Sequence, residues 1–325
     1  MKTGNVTGAV YDRSIYKKLN HSHSGNVRGA EKGESCAFFS CAEFSHMITA
    51  RSLTAYSCEE SGRYAVYAAA NQAAAAGTQK AAGILLEILM PADASEQQLR
   101  KIVEDAQQAA AELETALADV KASVTAAVNR CVVTATAAAG VFAAGRHARP
   151  GDQIVMTKWA GLEGSAILAK ACRERLAERY PSYLIEDAGR FGQSLSVAKE
   201  AAAAVKSGIG AMCAVAEGGV FHALWTLAER AGVGLEIDLR KIPIRQETVE
   251  ICNWLDLNPY ELAGNGSLLC VTEQGDALAE ALQRAGVPAA VIGKVTDNND
   301  RVIVNGEERR FLEPAKEDEI YKILK

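Results

Sequence analysis

Short apolar runs of strand length alternate with longer stretches of helical spacing along most of this chain. In the second half, the strand-like runs lie at Gly234 to Asp238, Leu268 to Thr272, Ala289 to Val295 and Arg301 to Val304. Helical spacing predicts helices at about Gly164 to Arg179, Ser194 to Ser207 and Gly219 to Ala231. Strands and helices mixed in this order favour an α/β or α+β fold over a helical bundle or an all-β fold.

An alanine-rich helix is predicted in the first half, from about Ser61 to Ala76, with Gly77 as its stop. Small side chains on one face would let this helix pack closely against a sheet. The run from Gly83 to Met90 predicts a buried strand that Pro91 ends. Further elements are predicted in chain order: strands at Cys36 to Phe39 and His46 to Thr49, a helix from about Ala94 to Leu117, and a strand from Val124 to Ala137.

The stretch from Gly145 to Gly151 supplies turn residues and interrupts the patterns on both sides. A chain of 325 residues also exceeds the roughly 250 to 300 residues at which single hydrophobic cores stop growing. We therefore expect two domains, residues 1–150 and 151–325.

Composition and charge narrow the class of protein. The formal net charge of -5 provides no global basic field, so we expect neither nucleic acid nor a membrane as a partner. The sequence has no apolar N-terminal segment and no uninterrupted apolar run of spanning length, which predicts a protein that is neither secreted nor membrane-spanning. The 8 cysteines are scattered without a CxxC pair, a usage typical of reduced thiols in a cytoplasmic protein.

Several short motifs follow one another through the second half of the chain, and both their order and their spacing are informative. They are Pro150-Gly-Asp-Gln-Ile-Val, Gly161-Leu-Glu-Gly-Ser-Ala, Glu217-Gly-Gly-Val-Phe-His-Ala-Leu, Ile292-Gly-Lys-Val and the ending Phe311-Leu-Glu-Pro to Asp318-Glu-Ile-Tyr. With these motifs the chain resembles the aminoimidazole ribonucleotide (AIR) synthase superfamily, and within it the HypE-like, AIR synthase-related proteins. The resemblance implies a two-domain AIR synthase-like fold, with an N-terminal mixed sheet and helices through which members dimerise, and a C-terminal α/β sandwich.

Members of this superfamily bind ATP with magnesium, because phosphoryl transfer concentrates negative charge that cations held by carboxylates offset. The chain departs from the family pattern where those acids are expected. Ser35 stands before Cys36 in place of an acid, Arg51 replaces the acid of a Thr-Asp-Pro type strand end, and Gln72 follows Asn71 where an Asn-Asp pair is expected.

Two further positions differ in the same sense. The turn that includes Lys121 and Ser123 replaces a Gly-Gly-His-Thr-Glu or Gly-Asp-Thr turn, and Ala214 and Ala216 replace Asp and Thr ahead of a Gly-Gly pair. The degenerate ATP-site positions implied by the resemblance are Ser35, Arg51, Asn71, Gln72, Lys121, Ser123, Ala214, Glu217, Gly218 and Gly219.

The loss of acids at five sites predicts a protein that has lost magnesium-ATP catalysis, because each charge-assisted contact to a transferring phosphoryl group contributes several kcal/mol. On this hypothesis the chain is a non-catalytic homologue that acts as a dimer partner, a scaffold or a binder of a small molecule or anion. It has no catalytic residue, metal ligand or cofactor. The dimer is a homodimer or a heterodimer with a paralogue.

The alternative is an ATP-dependent HypE-like enzyme of hydrogenase maturation or another ATP-activation reaction, with ATP and magnesium as cofactors. Its ligands would have moved to Glu34, Glu59, Glu60 or Asp119. HypE ends in a cysteine that accepts a carbamoyl group, whereas this sequence ends without one, so the resemblance does not carry that chemistry over.

Other candidate residues have both a structural and a functional interpretation. Cys213 and His222 lie near the altered signature, where we expect a packed thiol and a packed imidazole rather than a nucleophile and a base. His21 and His23 predict an exposed loop more readily than a metal site. The glycine turns at Gly161 and Gly218 either present amides to an anion or simply permit tight turns.

Cations near these turns provide a further hypothesis. Lys158 and Trp159 would line an anion pocket beside the first glycine turn. Lys80, Arg51 and Lys121 could replace the charge of a metal ion and bind an anion directly, or could be ordinary solvated surface cations.

Overall fold

The structure is a computed structural model. It describes residues 13–14, 27–28, 36–41, 44–54, 60–78, 80–140, 147–315 and 317–324.

A six-stranded sheet forms the first half of the fold. Its strands are β1 (Val27–Arg28), β2 (Cys36–Cys41), β3 (Phe44–Thr54), β4 (Gly83–Met90), β5 (Leu117–Val124) and β6 (Val132–Gly140), in the spatial order β1-β2-β3-β6-β4-β5. The β4–β5 pair is parallel and the other pairs are antiparallel. The sheet is therefore mixed, as the sequence predicts.

Two helices, α1 (Ser61–Ala75) and α2 (Glu96–Glu112), cover one face of this sheet. Ala65, Ala69 and Ala73 of α1 are 0 to 1% exposed, which confirms that a face of small side chains packs closely against the sheet. Gly62 allows α2 to approach as closely, because a Cβ atom there would lie 2.1 Å from the carbonyl oxygen of Ile102.

A seven-stranded sheet forms the second half. Its strands are β7 (Gln153–Thr157), β8 (Ala211–Ala214), β9 (Gly234–Asp238), β10 (Leu268–Thr272), β11 (Ala289–Thr296), β12 (Arg301–Asn305) and β13 (Glu308–Phe311), in the order β13-β12-β9-β11-β7-β10-β8. Within the described part of this second sheet, β12 and β9 form the only parallel pair. The short strand β8 lies at one edge, which leaves one of its sides unpaired within the sheet.

The helices of the second half are α3 (Leu162–Ala171), α4 (Arg173–Ala177), α5 (Ser182–Arg190), α6 (Ala198–Lys206), α7 (Gly219–Ala231), α8 (Gln246–Leu255) and α9 (Gly275–Arg284). Helix α7 packs on the sheet face that carries Ile154 and Met156 of β7. Helices α6 and α9 pack on the opposite face, with Val155. Helices on both faces of the sheet make the α/β sandwich that the sequence predicts.

The observed boundaries of most strands agree with those predicted from the sequence, and they differ around β5. The helix predicted to reach about Leu117 ends at Glu112, and Leu117–Val124, which includes the turn predicted at Asp119 to Ser123, is a strand. Its side chains are largely exposed on both faces, so it carries no apolar alternation. The next strand is Val132–Gly140, later than the predicted Val124 to Ala137.

The two halves share one hydrophobic cluster. Tyr64 of α1 and Leu195, in the segment before α6, belong to the same set of packed buried side chains, together with Leu162 of α3. β6, the last strand of the first sheet along the sequence, ends at Gly140. β7, the first strand of the second sheet, begins at Gln153. A domain boundary at about residue 150 stays a prediction.

The segment after β13 is held against the second half by a buried carboxylate. Asp318 is 2% exposed, and its two oxygens accept hydrogen bonds from the backbone N–H groups of Gly218 at 2.5 Å, Ile320 at 2.8 Å and Ala263 at 3.2 Å. Burial raises the pKa of Asp318 to about 7, against the lowering effect of these backbone hydrogen bonds.

This raised pKa predicts a pH-dependent contribution to stability. The folded state holds the proton on Asp318 up to about pH 7, whereas the unfolded chain releases it near pH 4. The free energy of unfolding of the wild type should therefore fall by about 2 to 4 kcal/mol relative to Asp318→Asn as pH rises from 4 to 8. Urea denaturation of both proteins across this range measures the difference. Asp297→Asn, at an exposed site, is the matched control, and parallel pH profiles for wild type and Asp318→Asn would contradict the prediction.

Candidate functional site

A cavity of about 280 Å³ lies between the two halves of the fold. The C-terminal half of α1 and the strands β2 and β3 line it on one side, and the edge strand β8 with one face of α7 lines it on the other. Its walls therefore come from elements far apart in the sequence.

Four of the residues implied by the resemblance meet at this cavity. They are Arg51 on β3, Gln72 on α1, Ala214 at the end of β8 and Glu217 just before α7. Ser35 lies outside the described residues, but its neighbour Cys36 lines the cavity, and its thiol donates to the backbone oxygen of Gln72 at 3.8 Å.

Asn71 takes no part in the lining and joins the two halves instead. Its side-chain nitrogen donates to the oxygen of Leu195 and to Oδ1 of Asn265, both at 2.7 Å, and its Oδ1 accepts the N–H of Val197 at 3.0 Å. The side chain is buried, and each of its polar atoms has a partner. Asn71 thus fixes the position of α1, and with it the neighbouring Gln72, against the second half.

The glycine turn ahead of α7 uses its amides within the protein. The N–H of Gly218 is taken by Asp318, and the N–H of Gly219 donates to the oxygen of Ala216 at 3.1 Å. Both glycines have left-handed φ angles, and a Cβ atom on Gly219 would lie 2.5 Å from the oxygen of Tyr260. These observations support the tight-turn interpretation over an anion site at this turn.

The other glycine turn shows the same use. Gly161 has a φ of +64°, and the N–H of Gly164 donates to the oxygen of Ala263 at 2.8 Å. A Cβ atom on Gly164 would lie 2.4 Å from the Leu262 side chain. The turn is thus adapted to close packing of α3.

Lys158 and Trp159 do not line the cavity, contrary to the hypothesis from the sequence. The ammonium group of Lys158 pairs with the carboxylate of Glu200 at 2.6 Å and donates to the oxygens of Ser196 and Gly266 at 2.5 and 2.8 Å. The ring of Trp159 packs against Phe191. Sequence spacing could not show that Glu200 comes from a separate helix to neutralise this lysine.

Lys121 and Ser123 lie on β5, at the far edge of the first sheet from β2 and outside the cavity lining. Both side chains are exposed. Lys80 forms an exposed ion pair with Glu114 at 3.2 Å. His21 and His23 lie outside the described residues.

Two titratable groups in the cavity, Cys213 and His222, are held in their neutral forms. Burial raises the pKa of Cys213 to about 11, so this thiol is protonated at neutral pH and donates to the oxygen of Ala214 at 3.6 Å. Burial lowers the pKa of His222 below its ordinary value, which favours the neutral imidazole. Neither group is activated as a nucleophile or carries a charge, in agreement with the packed interpretation.

Helix α7 contributes two polar residues that sequence reasoning missed. Thr226 and Arg230 line the cavity together with His222, at intervals of four residues along the helix. Residues four apart share one face of a helix, so this spacing was the available signal.

Two further properties of the part of the chain that the structure describes concern metal ligands and membrane-spanning helices. No group of three or more His, Cys, Asp or Glu side chains there could hold a metal ion. None of the helices in the described ranges has the length and apolar character to span a bilayer.

Comparison with known proteins agrees with the resemblance in the sequence. The family described as AIR synthase related protein, C-terminal domain, matches residues 149–305. The chain is 31% identical over 256 residues to carbamoyl dehydratase HypE of Azotobacter vinelandii, a match that covers 74% of this chain and 71% of that protein. It is 27% identical over 252 residues to a putative hydrogenase expression/formation protein of Methanocaldococcus jannaschii, covering 75% and 72% of the two chains.

Solved structures share the fold at lower sequence identity. HypE in a HypE–HypF complex superposes with a TM-score of 0.73 at 18% identity, covering 92% of this chain and 99% of that one. Thiamine monophosphate kinase from Aquifex aeolicus superposes with a TM-score of 0.67 at 15% identity, covering 95% and 99%. These likenesses confirm the predicted AIR synthase-like fold. Together with the identity to HypE across more than two thirds of that protein, they place this chain in the AIR synthase-related family, as a HypE-like member.

Proposed function

We propose that this HypE-like protein does not carry out magnesium-ATP chemistry and is a non-catalytic homologue that binds a small ligand in its cleft. The observation that carries the proposal is the lining of one cavity by Arg51, Gln72 and Ala214. At these three positions the resemblance implies acids, and the chain instead has a cation, an amide and a methyl group.

The chemistry of the lining supports this proposal. Magnesium in phosphoryl-transfer sites is held by one or two carboxylates together with the phosphates of the substrate. Among the described lining residues the only carboxylate is that of Glu217, which is hydrogen-bonded by the phenol of Tyr321. The cationic side chains of Arg51 and Arg230 would repel a divalent cation. The described lining does not fit a magnesium ion with ATP.

The second candidate is an ATP-dependent HypE-like enzyme whose ligands have moved. The relatives named carbamoyl dehydratase favour it, and Glu217 offers one carboxylate at the cavity. Of the alternative ligands, Glu60 forms an ion pair with Lys170, and Asp119 lies on the edge strand β5. Glu34 and Glu59 lie outside the described residues.

The outer face of the first sheet supports a homodimer. Leu53, Leu85 and Val124 are 56, 48 and 69% exposed on the strands β3, β4 and β5. Leu53 and Leu85 alternate with buried neighbours that face α1 and α2, so they lie on the side of the sheet that no helix of the described residues covers. Apolar side chains exposed on one sheet face are typical of an interaction surface.

Calorimetric titration with ATP separates the two candidate functions. With magnesium present, we expect no saturable binding with a dissociation constant below about 1 mM, because the lining lacks the carboxylates that hold the metal. The same titration in EDTA is the control. Tight binding that disappears in EDTA would refute the non-catalytic proposal.

Restoring the acids should restore nucleotide binding if the assigned positions are correct. The triple variant Arg51→Asp, Gln72→Asp and Ala214→Asp is expected to gain magnesium-dependent ATP affinity, since it places three carboxylates around the cavity. The matched control carries Asn at the same positions. A folded Asp variant that still ignores nucleotide would show that these are not the ligand positions.

Light scattering on the purified protein tests the dimer. We expect a mass of twice 34.5 kDa, and we expect Leu53→Glu with Leu85→Glu to give the monomer, because burying two carboxylates in an apolar interface is unfavourable. Tyr183→Glu introduces the same charge at an exposed site on α5 and should leave the mass unchanged. A measured mass of one chain for the purified wild type would contradict the homodimer, even if the protein forms a heterodimer with a paralogue.

A further inference from the structure

One residue of the cavity lining, Gln72, carries a buried hydrogen-bond acceptor that the protein leaves unsatisfied. Oε1 of Gln72 is buried and has no hydrogen-bond partner among the described residues. A buried acceptor without a partner costs about 1 to 3 kcal/mol, so a ligand that donates to it recovers that energy. The imidazole of His222 lines the same cavity and makes no hydrogen bond or ion pair with the described residues. The site therefore favours a ligand with a hydrogen-bond donor.

The charge of the lining favours an anion. Arg51 and Arg230 contribute two positive charges and Glu217 contributes one negative charge, which leaves a net charge of about +1. The carboxylate of Glu217 is held by Tyr321, and Arg51 forms no ion pair with the residues that the structure describes. Arg51 is thus a cationic residue of the lining that has no acidic partner among the described residues.

The edge strand β8 adds backbone polarity to the same wall. The N–H of Val215 donates to the oxygen of Ser267 across the β8–β10 pair, and the N–H of Leu268 donates to Oγ1 of Thr157 on the other side of β10. Backbone groups alternate in direction along an antiparallel strand, so the N–H of Ala214 points away from β10 and toward the open edge. Ala214 lines the cavity, which places this donor beside the cations.

The size of the cavity limits the ligand. Its 280 Å³ lies just below the about 300 to 1,000 Å³ of typical small-molecule sites. A ligand of few non-hydrogen atoms suits this space.

We infer that the cavity binds, without a metal ion, a small oxyanion that keeps an O–H group, such as hydrogen phosphate or a 2-hydroxycarboxylate. Arg51 supplies the counter-charge, the N–H of Ala214 donates to an anionic oxygen, and Oε1 of Gln72 accepts the O–H of the ligand. An oxyanion without an O–H would bring a second acceptor against Gln72 and bind more weakly. This inference rests on the proposed function, because it assigns the ligand class of the same cleft.

Two pairs of anions test the inference at pH 7.5 in EDTA and constant ionic strength. Phosphate carries an O–H and sulfate does not, and glycolate carries an O–H that acetate lacks. Isothermal titration of the full chain should show saturable binding of phosphate or glycolate, each about tenfold tighter than its partner without the O–H. The pair that shows the preference identifies the class of oxyanion. No saturable binding by any of the four, or equal binding within both pairs, would overturn the inference.

Variants assign the roles of individual residues. Arg51→Ala should weaken binding of the preferred anion about tenfold, and Arg51→Lys should recover part of the loss. Gln72→Met keeps the length of the side chain and should remove the preference for the O–H, because it weakens binding of the anion that donates to Gln72 and relieves the repulsion of sulfate or acetate. Arg284→Ala, an exposed cation on α9 outside the cavity lining, is the matched control.

The two proposals fail separately. Circular dichroism confirms the fold of each variant before titration. Binding that is unaffected by Arg51→Ala in a folded protein would refute the assigned site. Absence of anion binding leaves the magnesium-ATP titration unaltered, so that outcome overturns the ligand class and not the loss of ATP chemistry.

Discussion

The side-chain amide of Asn71 is the contact on which the geometry of the cleft depends. It joins α1 of the first half to the segment at Leu195 and Val197 and to Asn265 of the second half. Because Gln72 is the next residue on the same helix, these hydrogen bonds also set the distance between Gln72 and β8. The close packing of alanine side chains beneath α1 supports this position from the sheet side.

Much of the fold follows from the sequence, because most elements have a buried face that leaves a periodic pattern. The strands Gly234–Asp238 and Leu268–Thr272 and the helix Gly219–Ala231 have the predicted bounds. β5 escaped detection because a strand at a sheet edge with exposed side chains has no such pattern. Gly83–Met90, paired on both sides, was predicted to the residue.

The candidate site was predictable only in part, for a different reason. The resemblance singled out Arg51, Gln72 and Ala214, and the fold brings these three to one cavity. Lys158 carries the same charge as Arg51, but the buried carboxylate of Glu200 on α6 forms an ion pair with it and neutralises that charge. Which cation stays available depends on side chains that meet only in three dimensions. Spacing along the chain contains no information about that pairing.

The hydrogen bonds of Asn71 also determine how the cleft can behave during ligand exchange. A hinge motion that opened the two halves would have to break all three of them and expose the shared hydrophobic cluster to water. We therefore expect the cleft to be preorganised, with the same width whether empty or filled, so that little conformational entropy is lost when a ligand enters. Selection among ligands then rests on the resting shape and charge of the walls, and exchange proceeds through the open side of the cavity without domain closure.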